Sequence, residues 1–320
     1  MEKARRAVNK KTARRNRAGP GPALESEVSR RPQNRDSDRT EGRHGRGAGS
    51  GRQDGRQGES HAERQDRRQE GRREGRRGGE AGRDPDRLQL WGYHPVREAL
   101  RSKHRQVLRL YATAPAAERL AAEIASKGLR PEIIEPEDLS RRLPPDSVHQ
   151  GLLAEVRPLE PLDISELPEK GVVLVLDQVT DPHNVGAILR TAAAHNVDAI
   201  VTTERHSPAM TGILAKSASG GLEHVPVCSV VNLARALDEL GRMGYLRIGL
   251  DSEGVAPLED TVLSRPLALV LGAEGKGLRR LSRENCDVLA RLDMPGPIKS
   301  LNVSNACAVA LTILRLRLAE

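Results

Sequence analysis

Six short, mostly apolar segments constrain the fold of this chain more than any other feature: Val172–Leu176, Ala199–Thr202, Val225–Val230, Leu246–Leu250, Leu267–Leu271 and Val288–Leu292. They alternate with helical stretches at about Asn184 to His195, Asn232 to Met243, Leu278 to Asn285 and Leu301 to Leu318. Strands that are apolar along their length and separated by helices imply a mostly parallel sheet covered on both faces. The fold class is therefore α/β, beginning sharply at Gly171.

The chain before that point falls into two dissimilar parts. From Leu88, Val96 to Leu100 looks helical, Val107 to Tyr111 extended, and Pro115 to Ser126 an Ala-rich helix ended by Gly128. Glu132 to Ile134 reads as a strand, Pro136 to Leu143 as a short helix and Gly151 to Val156 as a last strand, which makes a small α/β unit over 88–157. Prolines at 158, 161 and 168 mark 158–170 as a linker to a domain spanning 171–320. Residues 1–87 differ from all of this: they hold 25 Arg/Lys and 15 Asp/Glu, no Phe, Tyr or Trp, and scarcely a large aliphatic. Such a segment cannot bury enough apolar surface to offset its ordering entropy, so disorder is expected.

Charge follows the same division. The tail carries a net +10, and since the whole chain is +8, residues 88–320 carry about −2. A flexible Arg/Gly-rich tail attracts polyphosphate without reading sequence; a solubilising extension is the plainer alternative. Its many acidic residues argue against a transit peptide. No apolar run approaches 18 residues, so neither a membrane span nor a secretory signal is expected. Cys228, Cys286 and Cys307 are single residues in apolar surroundings and read as reduced core thiols, with no zinc or disulfide framework. A cytoplasmic protein fits.

Three polar interruptions fall where strands give way to loops or helices. Asp181-Pro182-His183-Asn184-Val185-Gly186 precedes Arg190; Gly272-Ala273-Glu274-Gly275 follows Leu271; Ser300-Leu301-Asn302-Val303-Ser304-Asn305 opens the last helix. Helix starts offer free N–H donors, and ligands of α/β sheets gather at the carboxyl ends of strands. Each has a bland reading. Asp181-Pro182 could simply cap a helix, Glu274 could be a turn residue between glycines, and one of Ser300, Asn302, Ser304 and Asn305 must cap the final helix. Gly186 weakens a helix by about 1 kcal/mol relative to Ala, which hints at a close approach of backbone or ligand. Arg190, set among Val185, Ala187, Ile188, Leu189 and Ala192, needs a carboxylate or phosphate partner if buried or half-buried. Gly272 to Gly277 is neither a Walker loop nor a dinucleotide fingerprint.

Together the three motifs resemble the SpoU (TrmH-type) RNA ribose 2′-O-methyltransferases of the SPOUT superfamily. The resemblance runs from about Gly171 to Leu318: Asn184-x-Gly186-x-x-x-Arg190, Leu271-Gly272-Ala273-Glu274-Gly275 and Ser300-Leu301-Asn302-Val303-Ser304. Lys216 to Gly221, with Glu223 to Pro226, looks like the family's middle segment. Leu90 to Leu100 resembles the start of the L30e-like substrate-binding domain that precedes the catalytic domain in the 23S ribosomal RNA guanosine branch. Asn305 stands where the family often has a small apolar residue.

The resemblance implies a deep trefoil knot at the C-terminal end, S-adenosyl-L-methionine as methyl donor without a metal, and a homodimer with active sites at its interface. It places Gly272, Leu292 and Leu301 on the donor. Asn184, Arg190, Glu274, Ser300 and Asn302 become active-site residues. Family proposals make the motif Arg a base; a guanidinium, a poor proton acceptor at neutral pH, suits phosphate binding and alkoxide stabilisation better. Glu274 is then expected to orient Arg190 or a neighbouring amide, with Asn184 and Asn302 positioning the ribose or scaffolding the loops. The implied partner is RNA, above all 23S ribosomal RNA, with no membrane or DNA partner. Transfer RNA is the alternative substrate, and a non-catalytic RNA-binding or ribosome-assembly role the alternative class.

Overall fold

Strands β1 (Leu88–Trp91), β2 (Val107–Ala112), β3 (Glu132–Ile133) and β4 (Leu152–Val156) form a four-stranded sheet ordered β1-β4-β2-β3. The computed structural model describes residues 86–318, so the tail expectation for 1–87, but for its last two residues, lies outside the described residues. Strand β4 pairs antiparallel with β1 and β2, while β2 and β3 run parallel. Helix α1 (Tyr93–Arg101) buries Pro95, Val96, Ala99 and Leu100. The single Ala-rich helix expected over 115–126 is two, α2 (Ala114–Arg119) and α3 (Ala121–Ser126), because Leu120 leaves helical angles at φ −113°, ψ 18° and is fully buried. Helix α4 (Pro136–Arg141) covers the opposite face, where Trp91, Tyr111, Leu139, Leu143 and Leu153 pack together.

The remaining strands are β5 (Val172–Asp177), β6 (Ala199–Thr203), β7 (Val227–Val230), β8 (Leu246–Leu250), β9 (Ala256–Pro257), β10 (Leu267–Gly272) and β11 (Val288–Arg291). They make a seven-stranded sheet ordered β7-β6-β5-β10-β8-β11-β9, in which each neighbouring pair runs parallel. Alternate residues of β10 serve two cores. Leu267, Leu269 and Leu271 face helices α5 (Pro182–Ala194) and α9 (Val303–Arg317), and Ala268 and Val270 face α7 (Leu233–Arg242). Each fully buried Leu contributes about 1.5–3 kcal/mol. Helix α6 (Gly212–Ala218), which carries few large apolar residues, and two-residue β9 were not legible as elements. Helix α8 (Arg280–Glu284) joins β10 to β11.

Two features of this sheet shape its carboxyl edge. First, β5 leads through α5 to β6 on one side, while β10 leads through α8 to β11 on the other; β5 and β10 are neighbours, so the strand order reverses between them. A crevice at the carboxyl ends is expected at such a switch point. Second, β11 lies between β8 and β9, which are consecutive in sequence. The strap joining those two rests on β11: Asp251 N–H donates to the Ala290 carbonyl at 2.9 Å, Val255 N–H to Leu289 at 3.1 Å, and Arg291 Nη1 to the carbonyls of Gly254 and Val255.

All three cysteines are free; Cys228 and Cys307 are buried and Cys286 partly so. Burial pushes the Cys228 thiol up to about 11 and those of Cys286 and Cys307 up to about 12. Thiolate is the reactive form. Iodoacetamide at pH 8 should therefore leave the native protein unlabelled and modify all three thiols in denaturant; rapid native labelling, read by mass spectrometry, would contradict this packing.

Candidate active site

Each of the three motif loops is fixed by its own backbone contacts. Asp181 caps α5, its Oδ1 accepting the His183 N–H at 2.9 Å, with Pro182 in the first turn. Asn302 caps α9, its Oδ1 accepting from Ser304 N at 2.9 Å and from Ser304 Oγ at 2.6 Å. Between them, the loop after β10 closes on itself as Gly277 N–H donates to the Ala273 carbonyl at 2.9 Å. A Cβ on Gly272 would lie 2.2 Å from the Gly277 carbonyl carbon, so this glycine is required by the loop's own backbone. Asp177, fully buried at the end of β5, pins the far side of that loop by accepting from Arg279 N at 2.9 Å and Arg279 Nε at 2.6 Å.

At the switch point the three loops meet in a cluster of amides around one carboxylate oxygen. Glu274 Oε1 accepts from Asn184 Nδ2 at 3.1 Å, Asn302 Nδ2 at 2.5 Å and Val303 N at 3.2 Å. Asn302 Nδ2 also donates to Asn184 Oδ1 at 3.0 Å. The Asn302 amide thereby uses both its N–H donors and its oxygen within the protein. Among the described residues, one N–H of Asn184 and Oε2 of Glu274 meet no hydrogen-bond partner. Both residues line a cleft of about 340 Å³ together with Gln178, Thr180, Asp181, His206, Lys276 and Val303. Neither His206 nor Lys276 makes a hydrogen bond or ion pair to a described residue, so the rim offers two side chains able to meet an anion.

The other expected site residues sit differently. Arg190 is exposed, makes no hydrogen bond or ion pair to a described residue, and does not line the cleft. Of the two roles expected for Glu274, orienting Arg190 or a neighbouring amide, its contacts are those of the second: the carboxylate holds the Asn184 and Asn302 amides. The reason is helical geometry. Val185, Ile188, Leu189 and Ala192 form the buried stripe of α5, and Arg190 falls off it. Six residues on from Asn184, it stands about 120° around the axis and about 9 Å along it. Gly186 meets backbone: a Cβ there would lie 2.6 Å from the Leu214 carbonyl oxygen and 2.5 Å from Ser217 Cβ. Ser300 is exposed with no partner among the described residues, and Leu301 is 41% exposed. Leu292 packs partly against the core.

Sequence reading missed Asp177, Arg279, His206 and Lys276. A carboxylate closing an apolar strand was the one available signal for Asp177. Among the described residues no group of three or more His, Cys, Asp or Glu is placed to hold a metal ion, and no helix is long and apolar enough to cross a membrane.

Residues 171–312 match the SpoU rRNA Methylase family, and residues 89–162 match the family described as RNA 2′-O ribose methyltransferase substrate binding. The chain is 38% identical over 242 residues to the 23S rRNA (guanosine-2′-O-)-methyltransferase RlmB of Pasteurella multocida, covering 72% of this chain and 98% of that protein. It is 45% identical over 180 residues to the RlmB of Pseudomonas aeruginosa, covering 54% and 73%. The fold is shared with the SpoU methyltransferase AviRb from Streptomyces viridochromogenes in complex with AdoMet, at TM-score 0.63 and 22% identity, over 73% of this chain and 91% of that one.

Proposed function

We propose that this chain, which belongs to the SpoU rRNA methylase family, transfers a methyl group from S-adenosylmethionine to the 2′-hydroxyl of a guanosine ribose in 23S ribosomal RNA. The observation that carries this reading is the joining of all three motif loops through Glu274 Oε1 at the strand switch point, beside a cleft lined also by Lys276 and His206. Such a cluster fixes loop geometry before any ligand arrives. The substrate is taken from the relatives that span both matched segments.

Donor binding falls to Gly272, Leu292 and Leu301. The carboxyl ends of β10, β8 and β11 are adjacent in the sheet, and these residues follow or end two of them. They present backbone groups and apolar surface, and Leu301 is uncovered immediately before Asn302, which fits an adenosyl group. When bound, S-adenosylmethionine supplies an electrophilic methyl group on a sulfonium sulfur. The free N–H of Asn184 and Oε2 of Glu274 orient the ribose hydroxyl in the cleft. Ser300 lies at the border between that cleft and the donor.

A 2′-hydroxyl is a weak nucleophile until its developing negative charge is stabilised. Arg190 acts by holding the flanking phosphate and that charge with its fork of N–H donors. Its position off the cleft of its own chain supports a homodimer, in which the partner copy presents Arg190. Exposed Val309 and Leu316 on α9, the helix packed on α5, supply apolar surface for such contact. The SPOUT trefoil knot belongs to the same reading, supported by the 251–255 strap lying over β11. So does an L30e-like assignment of the four-stranded sheet.

Mapping ribose methylation in 23S RNA from cells lacking the gene tests the proposal: one guanosine should lose its methyl group and regain it with the wild-type chain only, not with Arg190→Ala. An unchanged map removes the assignment, and methyl transfer to purified transfer RNA instead would redirect it. At the residue level, Glu274→Ala frees two amides and one backbone N–H. A drop of about 10²-fold in single-turnover methyl transfer is expected, with Glu274→Gln intermediate. Wild-type rates in Glu274→Ala would sink the role given to the cluster.

A further inference from the structure

Resting on that reading, we propose that residues 212–224 form a bracket that fixes the seat of the substrate-binding domain and carries it into α5, with Arg105 and Glu223 as positioning residues for methyl transfer. This is the stretch that includes the family-like middle segment, for which the active-site geometry gives no other use.

The bracket's outer side holds the front domain. Arg105 and Glu223, whose side chains are 1% and 2% exposed, meet through Nε to Oε1 at 2.9 Å, Nε to Oε2 at 3.1 Å and Nη2 to Oε1 at 2.7 Å. Arg105 Nη1 donates to the Arg157 carbonyl at 2.7 Å. A buried ion pair gives little net stability over apolar packing, so its use here is to specify one placement. Around it, Gln150 Oε1 accepts from Tyr93 N at 2.9 Å and Lys216 Nζ at 3.2 Å, and Glu98 meets His224 Nε2 at 3.1 Å. Trp91 lies on Gly212 so closely that a Cβ would fall 1.9 Å from the ring. The two domains also share one continuous apolar core.

The inner side holds the catalytic helix. Gly186 sits against Leu214 and Ser217, Ser217 Oγ donates to the His183 carbonyl at 2.9 Å, and Gly221 sits against the Leu189 carbonyl. Helix α5 carries Asn184 and Arg190. The chain of contact from front domain to bracket to α5 to the amide cluster is therefore unbroken. RNA gripped by the front domain meets the reacting groups in a register set by this bracket, and misplacement by about 1 Å can cost about 10²-fold in rate.

The test uses the full chain carrying Arg105→Met, Gly212→Ala, or the apolar pair Arg105→Met with Glu223→Leu. Measurements are kcat and KM on a 23S transcript, S-adenosylmethionine affinity by calorimetry, and Tm. Arg105→Met and Gly212→Ala should each lower kcat/KM about tenfold, with donor affinity unchanged. The apolar pair should recover Tm without recovering kcat/KM. Wild-type kcat/KM in Gly212→Ala, or kcat/KM returning with Tm in the apolar pair, overturns the proposal. Should the wild-type chain methylate no 23S transcript, the functional reading fails first and hydrogen exchange decides the bracket. Faster exchange across 182–190 in Arg105→Met, with β5 and β10 still protected, supports it; unchanged exchange there overturns it.

Discussion

Arg190→Ala is expected to lower methyl transfer by about 10²–10³-fold, the range seen when a donor to a developing oxyanion is removed, while leaving Tm unchanged. The two halves of this expectation come from the same observation. Arg190 is exposed and pairs with no described residue, so among these truncation removes no buried contact and leaves no carboxylate stranded. Its fork of N–H donors is thus free for phosphate and alkoxide oxygens. An interaction made only in the transition state lowers kcat and kcat/KM together. Arg190→Lys keeps the charge and loses the planar fork, so it should fall between the two. Single-turnover kinetics with a thermal melt on the same samples checks both halves. A Tm loss of several degrees, or a near-wild-type rate, defeats the assignment.

Glu223→Ala should have the largest effect on stability, about 3–5 kcal/mol, because it leaves a guanidinium buried without its counter-charge. For a folded body of this size that is a fall in Tm on the order of 10 °C. Arg105, at 1% side-chain exposure, has no water to turn to. The comparison is Arg141→Ala, which breaks a 2.6 Å pair with Asp138 whose side chains are 76% and 49% exposed. Exposed pairs contribute about 0–1 kcal/mol, so that variant should melt near the wild type. Denaturant unfolding of the two variants side by side separates burial from proximity. Equal stability losses would show that the Arg105–Glu223 pair is not shielded as described.

What was legible in the sequence depends on how far each signal reaches along the chain. The apolar runs became β5 to β8, β10 and β11; β5, β6 and β10, buried along nearly their whole length, leave the most unbroken local record. The cap at Asp181 was equally local, and that of the last helix was narrowed to Ser300, Asn302, Ser304 or Asn305, of which Asn302 serves. The burial of Arg190 was left open, since neighbours in sequence are not neighbours on a helix; it lies off the stripe formed by Val185, Ile188, Leu189 and Ala192. Helix α6 escaped because Gly212 opens it and small residues dominate it, and that smallness is what lets Trp91 and α5 approach. Pairs such as Asp177–Arg279 and Arg105–Glu223 join residues 102 and 118 positions apart. No periodicity records such a contact. The three motifs, in order, did mark the loops that meet at Glu274, but not which atoms meet.

The Glu274 cluster also bears on how the protein comes into being. A single carboxylate oxygen binds Asn184 to Asn302, residues 118 apart, and the second of them opens the last described helix. While the chain is being made, β5, β10 and the loop carrying Glu274 can all be in place with the cluster still lacking a member. The protein can acquire its RNA-binding front well before it can hold its reacting groups.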